Sequence, residues 1–393
     1  MRLKGNLFCL LSYATLIIIM FFPAVSSMAA DTYLVYFGTY TRPGQSKGIY
    51  VSRFDAVKGR LENPELAAEA VNPSFLAIHP SRHFLYAVGD TVAINGKKTG
   101  AVSAFSIDQA TGKLVLLNRQ STGGIGPCHV SLDHAGRCAL VANYGDGSCA
   151  SLPVKADGTL GEAGSVVRHH GASINAKRQE GPHAHSINPS PDNRFALAAD
   201  LGLDKIMVYR LDSAKAALAP NDPPFAAVPP GSGPRHLAFH PGGKFAYVIN
   251  EMLCTVTAFR YDAAAGALEP VQTSSTLPAG TAVLPAFSTA ESQVHPNGKF
   301  LYGSNRGHDT IAIFAIDEQS GLLKLIMNEP SGGETPRNFS LDPTGRWLLA
   351  ANEKSGNVAV FAVDPDAGSL KATGQSVAIS SPVCVKFLRS HNP

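Results

Sequence analysis

Charged and polar side chains recur at matching points of a strand pattern that repeats along this 393-residue chain. Directly after a proline stand Ser74, Cys128, His183, Arg235 and Arg337. One position further stand His129, His236, Glu291 and Asn338. At or just beyond the end of the neighbouring strand stand Tyr144, Asp200, Glu251, Arg306 and Glu353. Arginine binds carboxylates and polarised carbonyls, while histidine and glutamate transfer protons, so this set predicts acid/base chemistry on a carbonyl or anionic ligand.

These positions meet if the repeated strands pair in an antiparallel sheet. The start of one strand and the end of the next then lie at the same rim. We therefore expect side chains from four consecutive repeats to face one channel mouth. Each residue alone would suit a structural hydrogen bond or ion pair. Burying several arginines and carboxylates merely to hold strands together would cost desolvation, so the cluster indicates a ligand site.

The predicted site has a catalytic and a substrate-binding group. The catalytic group is His183, His185, Arg235, Glu251 and Arg306. The substrate-binding group is His129, His236, Glu291 and Arg337. His183 and His185 are two residues apart on a strand, a spacing that also suits metal ligands. Because no third ligand set with recognisable spacing accompanies them, we expect neither a metal nor another cofactor. Cys128 lacks a clear histidine base and is not expected to be a nucleophile.

A repeat must position these residues, and the chain contains seven copies of a strand that ends in aspartate. The copies end at Asp55, Asp108, Asp157, Asp212, Asp262, Asp317 and Asp364. Their spacing of about 50 residues is that of a four-stranded propeller blade with its loops. Most copies follow an inner strand and an aromatic, β-branched second strand, separated by turn residues such as those at 241–243.

The two ends of the chain complement each other. The last inner strand, beginning at Cys384, lacks companion strands, whereas the N-terminal part supplies three outer strands without an inner one. Joining them leaves no unpaired sheet edge. The sequence therefore predicts an all-β fold, a seven-bladed β-propeller closed by a composite blade from both termini. Residues 30–393 would form this single domain.

Residues 1–29 have the pattern of an export signal. Arg2 and Lys4 precede an apolar run, and small residues at Ser27 and Ala29 favour cleavage after Ala29. We expect a periplasmic or secreted protein, with an uncleaved N-terminal anchor as the alternative. Removing this segment lowers the formal net charge from +3 to +1, which gives no reason to expect a nucleic-acid partner or further membrane contact.

The remaining cysteines and histidines are interpreted as structural. Five cysteines beyond Cys9 do not form a disulfide framework, although a bond between Cys138 and Cys149 on adjacent strands is an alternative. The histidines of three turns at the opposite rim, and the single tryptophan, are assigned to structure: His79, His240, His295 and Trp347. His169 and His170 are expected to lie in a loop without a chemical role.

Several short motifs together resemble one protein family. They are YFGTYT from Tyr36, GPHAHS from Gly181, DLGLDKI from Asp200, GPRHLAFHP from Gly233, YVINE from Tyr247 and YGSNRGHD from Tyr302. The chain is similar, from about Tyr33 to Phe387, to the seven-bladed lactonases, which include bacterial 6-phosphogluconolactonases and the fungal carboxy-muconate lactonizing enzyme. The resemblance implies metal-free lactone chemistry with a histidine, two arginines and a glutamate. The matching positions are His183 or His185, Arg235, Glu251 and Arg306.

The expected function is hydrolysis of a sugar lactone or related cyclic ester, with a small lactone or carboxylate as the only partner. Arg235 and Arg306 would hold the substrate anion and the oxyanion, and Glu251 or His183 would activate water. An export signal is unexpected for cytosolic sugar phosphate metabolism, so a periplasmic aldonolactone or another carboxylate-forming lactone fits better than 6-phosphogluconolactone. The alternatives are a muconate-type cycloisomerase, a non-catalytic binding propeller and a calcium-dependent lactonase.

Overall fold

The computed structural model describes residues 32–41, 45–89, 92–94 and 97–390, and every regular element in these ranges is a β-strand. The predicted signal segment, 1–29, lies outside the described residues. Six blades are continuous in sequence, each an antiparallel sheet of four strands, and a seventh combines both ends of the chain. The prediction of an all-β, seven-bladed propeller is confirmed.

The blades are numbered in the order of their inner strands, and the four strands of each blade succeed one another from the channel outwards. Blade 1 contains β5 (Phe75–Ile78), β6 (Phe84–Val88), β9 (Ala101–Ile107) and β10 (Leu114–Ser121), with a small hairpin of β7 (Val92–Ile94) and β8 (Lys97–Thr99). Blade 2 contains β11 (Pro127–Leu132), β12 (Cys138–Asn143), β13 (Ser148–Pro153) and β14 (Ser165–Arg168). Blade 3 contains β15 (Ala184–Pro189), β16 (Phe195–Asp200), β17 (Lys205–Asp212) and β18 (Ala217–Ala227).

The second half of the ring repeats this order. Blade 4 contains β19 (Pro234–Phe239), β20 (Phe245–Asn250), β21 (Thr255–Asp262) and β22 (Ala267–Ser275). Blade 5 contains β23 (Ser288–Val294), β24 (Phe300–Arg306), β25 (Thr310–Ile316) and β26 (Leu323–Pro330). Blade 6 contains β27 (Pro336–Leu341), β28 (Trp347–Asn352), β29 (Asn357–Val363) and β30 (Leu370–Ala378).

Blade 7 closes the ring. Its inner strand is β31 (Pro382–Arg389), followed by β1 (Thr32–Thr39), β2 (Gly48–Asp55) and then β3 (Arg60–Leu61) and β4 (Glu65–Glu69), which both pair with β2. β31 runs antiparallel to β1, with Val385 opposite Phe37, and contacts the inner strands of blades 6 and 1. The composite blade predicted from the two termini is therefore present.

Polar ties between successive blades supplement the apolar core. Buried tyrosines of the second strands donate to backbone carbonyls in the next blade, as Tyr86 does to Gly158 O at 3.0 Å. At the opposite rim, His79 Nε2 lies 2.8 Å from Gly136 O, and His240 and His295 each make the equivalent contact with the blade that follows their own. These three histidines fill the structural role expected of them.

Cys138 and Cys149 do not form the disulfide bond that was the alternative interpretation of their sequence. Cys138 lies opposite Pro153, whereas Cys149 lies opposite Ala142, four residues further along β12. Adjacent strands hold the two cysteines at different levels of the sheet, out of reach of a bond. Both are buried and free.

Candidate functional site

A β-bulge at the start of the inner strand places one side chain of several blades at the channel mouth. In blade 4, Pro234 pairs with Asn250 and His236 with Ile249, so Arg235 is the extra residue. The same register shift occurs in blades 2, 3 and 6, where the extra residues are Cys128, His185 and Arg337. A bulge re-aims a side chain that regular pairing would direct elsewhere, which explains how these four equivalent residues converge.

This register corrects one position in the sequence-based alignment. The proline rule placed His183 beside Arg235 and Arg337, but the structure gives that place to His185. In blade 3 the inner strand begins at Ala184, two residues after Pro182, so the proline of the GPHAHS motif lies upstream of the strand.

Glu251, directly after β20, is the centre of the site. Its Oε2 lies 3.1 Å from Arg235 Nε and 3.1 Å from an Arg306 guanidinium nitrogen, while Oε1 lies 2.7 Å from Arg178. Burial alone would raise the pKa of this carboxyl, but Arg306, Arg235 and Arg178 together lower it to about 2. Glu251 is therefore an anion at any physiological pH.

The arginines do not contribute equally to the mouth. Arg235 is 3% exposed and donates to Ala290 O at 2.6 Å in addition to Glu251. Burial and the charges of Arg337 and Arg306 lower the pKa of Arg235 to about 10, which leaves it protonated at neutral pH. It holds the glutamate from below and does not line the cavity.

Two arginines have capacity to bind a ligand. Arg306 donates to Thr289 O at 2.8 Å, but its buried Nε has no hydrogen-bond partner among the described residues. Arg337 lies over the ring of Tyr40, 5.3 Å from its centroid, and its Nε is 3.9 Å from Glu353. Both side chains also line the mouth cavity, where a guanidinium group can meet an anionic or carbonyl oxygen.

His185 is a neutral imidazole at this mouth. Burial, followed by the charges of Arg235, His236 and Arg337, lowers its pKa well below the usual value of 6.5. Its Nε2 lies 3.9 Å from Glu251 Oε2. On the other side of the ring, Nδ1 is 3.9 Å from the sulfur of Cys128.

His183 occupies a different environment. Its ring stacks on Tyr144 at 4.6 Å, and its Nδ1 donates to the backbone oxygen of Tyr144 at 2.9 Å. Tyr144 in turn accepts a hydrogen bond from Arg178 at 3.1 Å. His183 supports the cavity wall from outside and is not among the residues that line it.

Three of the predicted substrate-binding residues contact one another in the channel and do not line the mouth cavity: His129, His236 and Glu291. His236 Nδ1 lies 3.1 Å from Glu291 Oε1, and its Nε2 lies 3.3 Å from Arg235. The ring of His129 packs on Phe75 at 4.3 Å. All three are about 5% exposed and lie behind the mouth cavity.

The cavity itself has a volume of about 450 Å³. Of the predicted site residues, His185, Glu251, Arg306 and Arg337 line it. Its other polar side chains are Tyr40, Asn72, Ser74, Cys128, Tyr144 and Arg178. One half of the wall is therefore charged, and the half formed by blades 7 and 1 carries neutral hydrogen-bonding groups suited to hydroxyls.

Sequence reasoning missed Arg178 and His169. Both lie in the long connection between β14 and β15, outside the repeat, so no register pointed to them. His169 was expected to have no role, yet it is buried and its Nδ1 lies 2.5 Å from Asp200.

Cys128 lines the mouth cavity as a thiol. Burial raises the pKa of the Cys128 thiol to about 12, so it is not a thiolate at neutral pH. Within the described ranges, no three His, Cys, Asp or Glu side chains group closely enough to hold a metal ion. Those ranges also contain no helix that could cross a membrane.

Comparisons with known proteins identify the family. Residues 34–387 match the family described as lactonase, 7-bladed beta-propeller. A 6-phosphogluconolactonase of Bacillus subtilis is 38% identical over 91% of this chain and 98% of its own, and one of Formosa agariphila is 34% identical over 78% and 86%. The structure of a periplasmic gluconolactonase of Pseudomonas aeruginosa is 37% identical, with a TM-score of 0.85, over 92% of this chain and 100% of that chain. The resemblance seen in the sequence is confirmed, and this chain belongs to the lactonase family of seven-bladed β-propellers.

Proposed function

We propose that this protein hydrolyses an unphosphorylated sugar lactone in the mouth cavity, by acid/base catalysis through its own side chains. One observation carries the proposal. Neutral His185 and ionised Glu251 lie side by side on the cavity wall, next to two arginines that also line it. A proton acceptor, a fixed anion and oxyanion donors are the components that ester hydrolysis requires.

His185 is the general base in this scheme. The distance of 3.9 Å between His185 Nε2 and Glu251 Oε2 exceeds a hydrogen bond but lets one water oxygen contact both atoms. Glu251 is a weak base because its pKa is about 2. Its role is to orient the water and stabilise the imidazolium that forms, as a buried carboxylate does in a catalytic triad.

The arginines stabilise the oxyanion. Water attack converts the lactone carbonyl into a tetrahedral intermediate whose oxygen is negatively charged. The guanidinium groups of Arg306 and Arg337, which line the cavity, are the donors for this oxygen. The negative charge on this oxygen offsets the positive charge of the arginines, which opposes protonation of His185. Formation of the oxyanion therefore helps His185 to accept the proton from water.

Collapse of the intermediate breaks the bond between the carbonyl carbon and the ring oxygen. The His185 imidazolium returns its proton to that oxygen, which becomes a hydroxyl group. The product is an open-chain hydroxy acid that ionises, so each turnover consumes one water and releases one proton. His183 contributes indirectly, by holding Tyr144 in the cavity wall.

The N-terminal segment, a periplasmic relative and the neutral side of the cavity favour an unphosphorylated substrate. The export-type segment at 1–29 favours a compartment outside the cytosol, and a 37% identical relative is a periplasmic gluconolactonase. The neutral polar half of the cavity, with Tyr40, Asn72 and Ser74, suits sugar hydroxyls. Mature protein recovered from the periplasm or medium with Ala30 at its N-terminus would support export; retention of residues 1–29 in the cytoplasm would contradict it.

The test is a pH-indicator assay on gluconolactone, galactonolactone and 6-phosphogluconolactone, with a chelator present and spontaneous hydrolysis subtracted. We expect one proton per lactone and the highest kcat/KM on an unphosphorylated substrate. Preference for the phosphorylated lactone would overturn the substrate assignment. Loss of activity in chelator would overturn the metal-free scheme, and absence of turnover on every lactone would overturn the proposed function.

A further inference from the structure

A fifteen-residue connection between blades 2 and 3, residues 169–183, delivers Arg178 to the active site; we call it the arm. Arg178 bonds Glu251 at 2.7 Å and the hydroxyl of Tyr144 at 3.1 Å. Unlike Arg235 and Arg306, the other two arginines on Glu251, it does not come from a propeller strand. What holds the arm therefore decides whether Glu251 has two cations or three.

Apolar burial does not hold the arm in place. Ile174, its single large aliphatic residue, is 71% exposed. The arm residues that are fully buried before the GPHAHS motif are both polar, His169 and Gln179. A surface segment without an apolar anchor depends on its hydrogen bonds for a defined position.

Those hydrogen bonds converge on one turn of blade 3, residues 200–204. Asp200 fixes both ends of the arm: Oδ2 lies 2.5 Å from His169 Nδ1, and Oδ1 accepts the backbone N–H of His183 at 2.8 Å. Between the ends, Gln179 donates to Leu201 O at 2.9 Å. Ser173 donates to Asp204 at 2.6 Å.

The turn at 200–204 packs directly against the end of the arm. A Cβ at Gly202 would come within 1.9 Å of the carbonyl oxygen of Gly181, so only glycine lets the turn approach the end of the arm. Tyr209 completes the buried set, because its hydroxyl lies 2.8 Å from His169 Nε2. With Nδ1–H donated to Asp200, the ring accepts a hydrogen bond from the Tyr209 hydroxyl at Nε2.

The other blades provide an internal comparison. The residue equivalent to Asp200 at the end of the second strand is asparagine in blades 2, 4, 5 and 6: Asn143, Asn250, Asn305 and Asn352. These asparagines bond hydroxyls or backbone oxygens nearby, as Asn250 bonds Thr255 and Thr257 at 3.0 Å. Asparagine therefore serves at this position in four blades. In blade 3, Asp200 Oδ1 also accepts the N–H groups of Gly202 and Leu203 in its own turn, whereas Oδ2 pairs with the arm through His169.

We propose that Asp200, with His169 and Tyr209, is a latch that positions the arm and thereby keeps Arg178 on Glu251. Asp200 and His169 are positioning residues for the lactonase reaction, since they act through Arg178 and contact neither the cavity nor a reacting atom. The inference rests on the proposed function for its catalytic consequence, while the position of the arm can be measured without any substrate.

The first experiment is a double-mutant cycle of Asp200→Asn with Arg178→Ala. Asp200→Asn is nearly isosteric, and four other blades already carry asparagine at this point. We expect it to lower kcat/KM about tenfold in the wild-type protein and less than about twofold in Arg178→Ala, because coupled residues are not additive. His169→Gln should show the same coupling. Equal losses in both backgrounds would overturn the proposal.

The second experiment is limited trypsin digestion of the folded protein, which reports on the arm through Lys177 and Arg178. We expect Asp200→Asn to be cleaved at these sites several times faster than wild type. Asp342→Asn is the matched control, since Asp342 is equally buried but bonds a turn at the opposite rim of blade 6. Unchanged cleavage in Asp200→Asn would overturn the latch. A wild type without lactonase activity would overturn the proposed function alone.

Discussion

The Nε2 atom of His185 and the Oε2 atom of Glu251 lie 3.9 Å apart on the wall of the mouth cavity, and both side chains are more than nine-tenths buried. Their charge states differ at neutral pH. Burial and nearby arginines lower the pKa of His185 and keep it neutral, whereas three arginines lower the pKa of Glu251 and keep it ionised. A neutral imidazole beside a fixed carboxylate can accept a proton, because the carboxylate stabilises the imidazolium that forms.

Replacing Glu251 by glutamine tests the fixed anion. Glu251→Gln keeps the shape but removes the charge that, in the proposed scheme, orients water and stabilises the His185 imidazolium. We expect kcat to fall by about 10² to 10³, a range typical for the loss of one group in acid/base catalysis. Steady-state kinetics on the preferred lactone measure the effect.

A matched control separates this loss from a general effect of neutralising a glutamate. Glu269 forms an exposed ion pair with Arg260 on an outer strand of blade 4, far from the mouth. Glu269→Gln should retain wild-type kinetics and stability. If Glu251→Gln kept at least half of the wild-type kcat while folded, the catalytic role of this carboxylate would be excluded.

Replacing each histidine of the GPHAHS motif distinguishes their roles. His185 lines the cavity and His183 does not. We expect His185→Gln to lower kcat by about 10² or more with little change in KM, since it removes the proton acceptor. His183→Gln should cost less than about tenfold, because it only loosens Tyr144. The reverse order would return the role of general base to His183.

The two histidines also show where sequence reasoning ends. Strand repeats and the complementary chain ends were sufficient to predict seven blades and a composite seventh. The same register located the mouth, and four of the predicted site residues line its cavity. It misaligned blade 3 by two residues, because the proline that begins the inner strand in blades 2, 4 and 6 lies two residues upstream of the strand in blade 3. The equivalent position therefore moves from His183 to His185.

The arm is a second limit of the sequence. Arg178 and His169 lie in a connection that falls outside the repeat, and their partners Glu251 and Asp200 are 73 and 31 residues away. Repeat logic assigns positions only to residues within the repeat. Contacts made by an insertion depend on how its backbone folds back, which composition and spacing do not determine.

The channel histidines predict how stability depends on pH. His129, His185 and His236 are buried, and burial with neighbouring positive charge lowers each pKa below 6.5. In the unfolded chain their pKa values return to about 6.5, so the unfolded chain binds more protons than the folded protein below that pH. The free energy of unfolding should therefore decrease as the pH falls below 6.5, by up to about 1.4 kcal/mol per pH unit for each histidine.

Urea unfolding between pH 7.5 and 5 measures this slope above the range in which carboxylates titrate. His129→Gln removes one of the three groups and leaves the mouth cavity intact, so its slope should be smaller than that of wild type. Identical slopes in the two proteins would show that His129 is protonated in the folded state.

Closure of the ring depends on β31. Val385 and Leu388 on this strand are almost completely buried, and β31 pairs with β1 while contacting the inner strands on both sides. Truncation after Ser381 would expose the edge of β1 and open the channel beside the site. We expect the truncated chain to be insoluble or unfolded, since an exposed apolar strand edge promotes aggregation. Truncation after Ser390 is the control and should leave thermal unfolding and lactonase activity unchanged.

A milder variant, Val385→Ala, should remain folded and lose about 1–3 kcal/mol of stability from the cavity it creates. A soluble, cooperatively folding 1–381 chain would show that six blades and an incomplete seventh suffice, contrary to the closure inferred from the two termini.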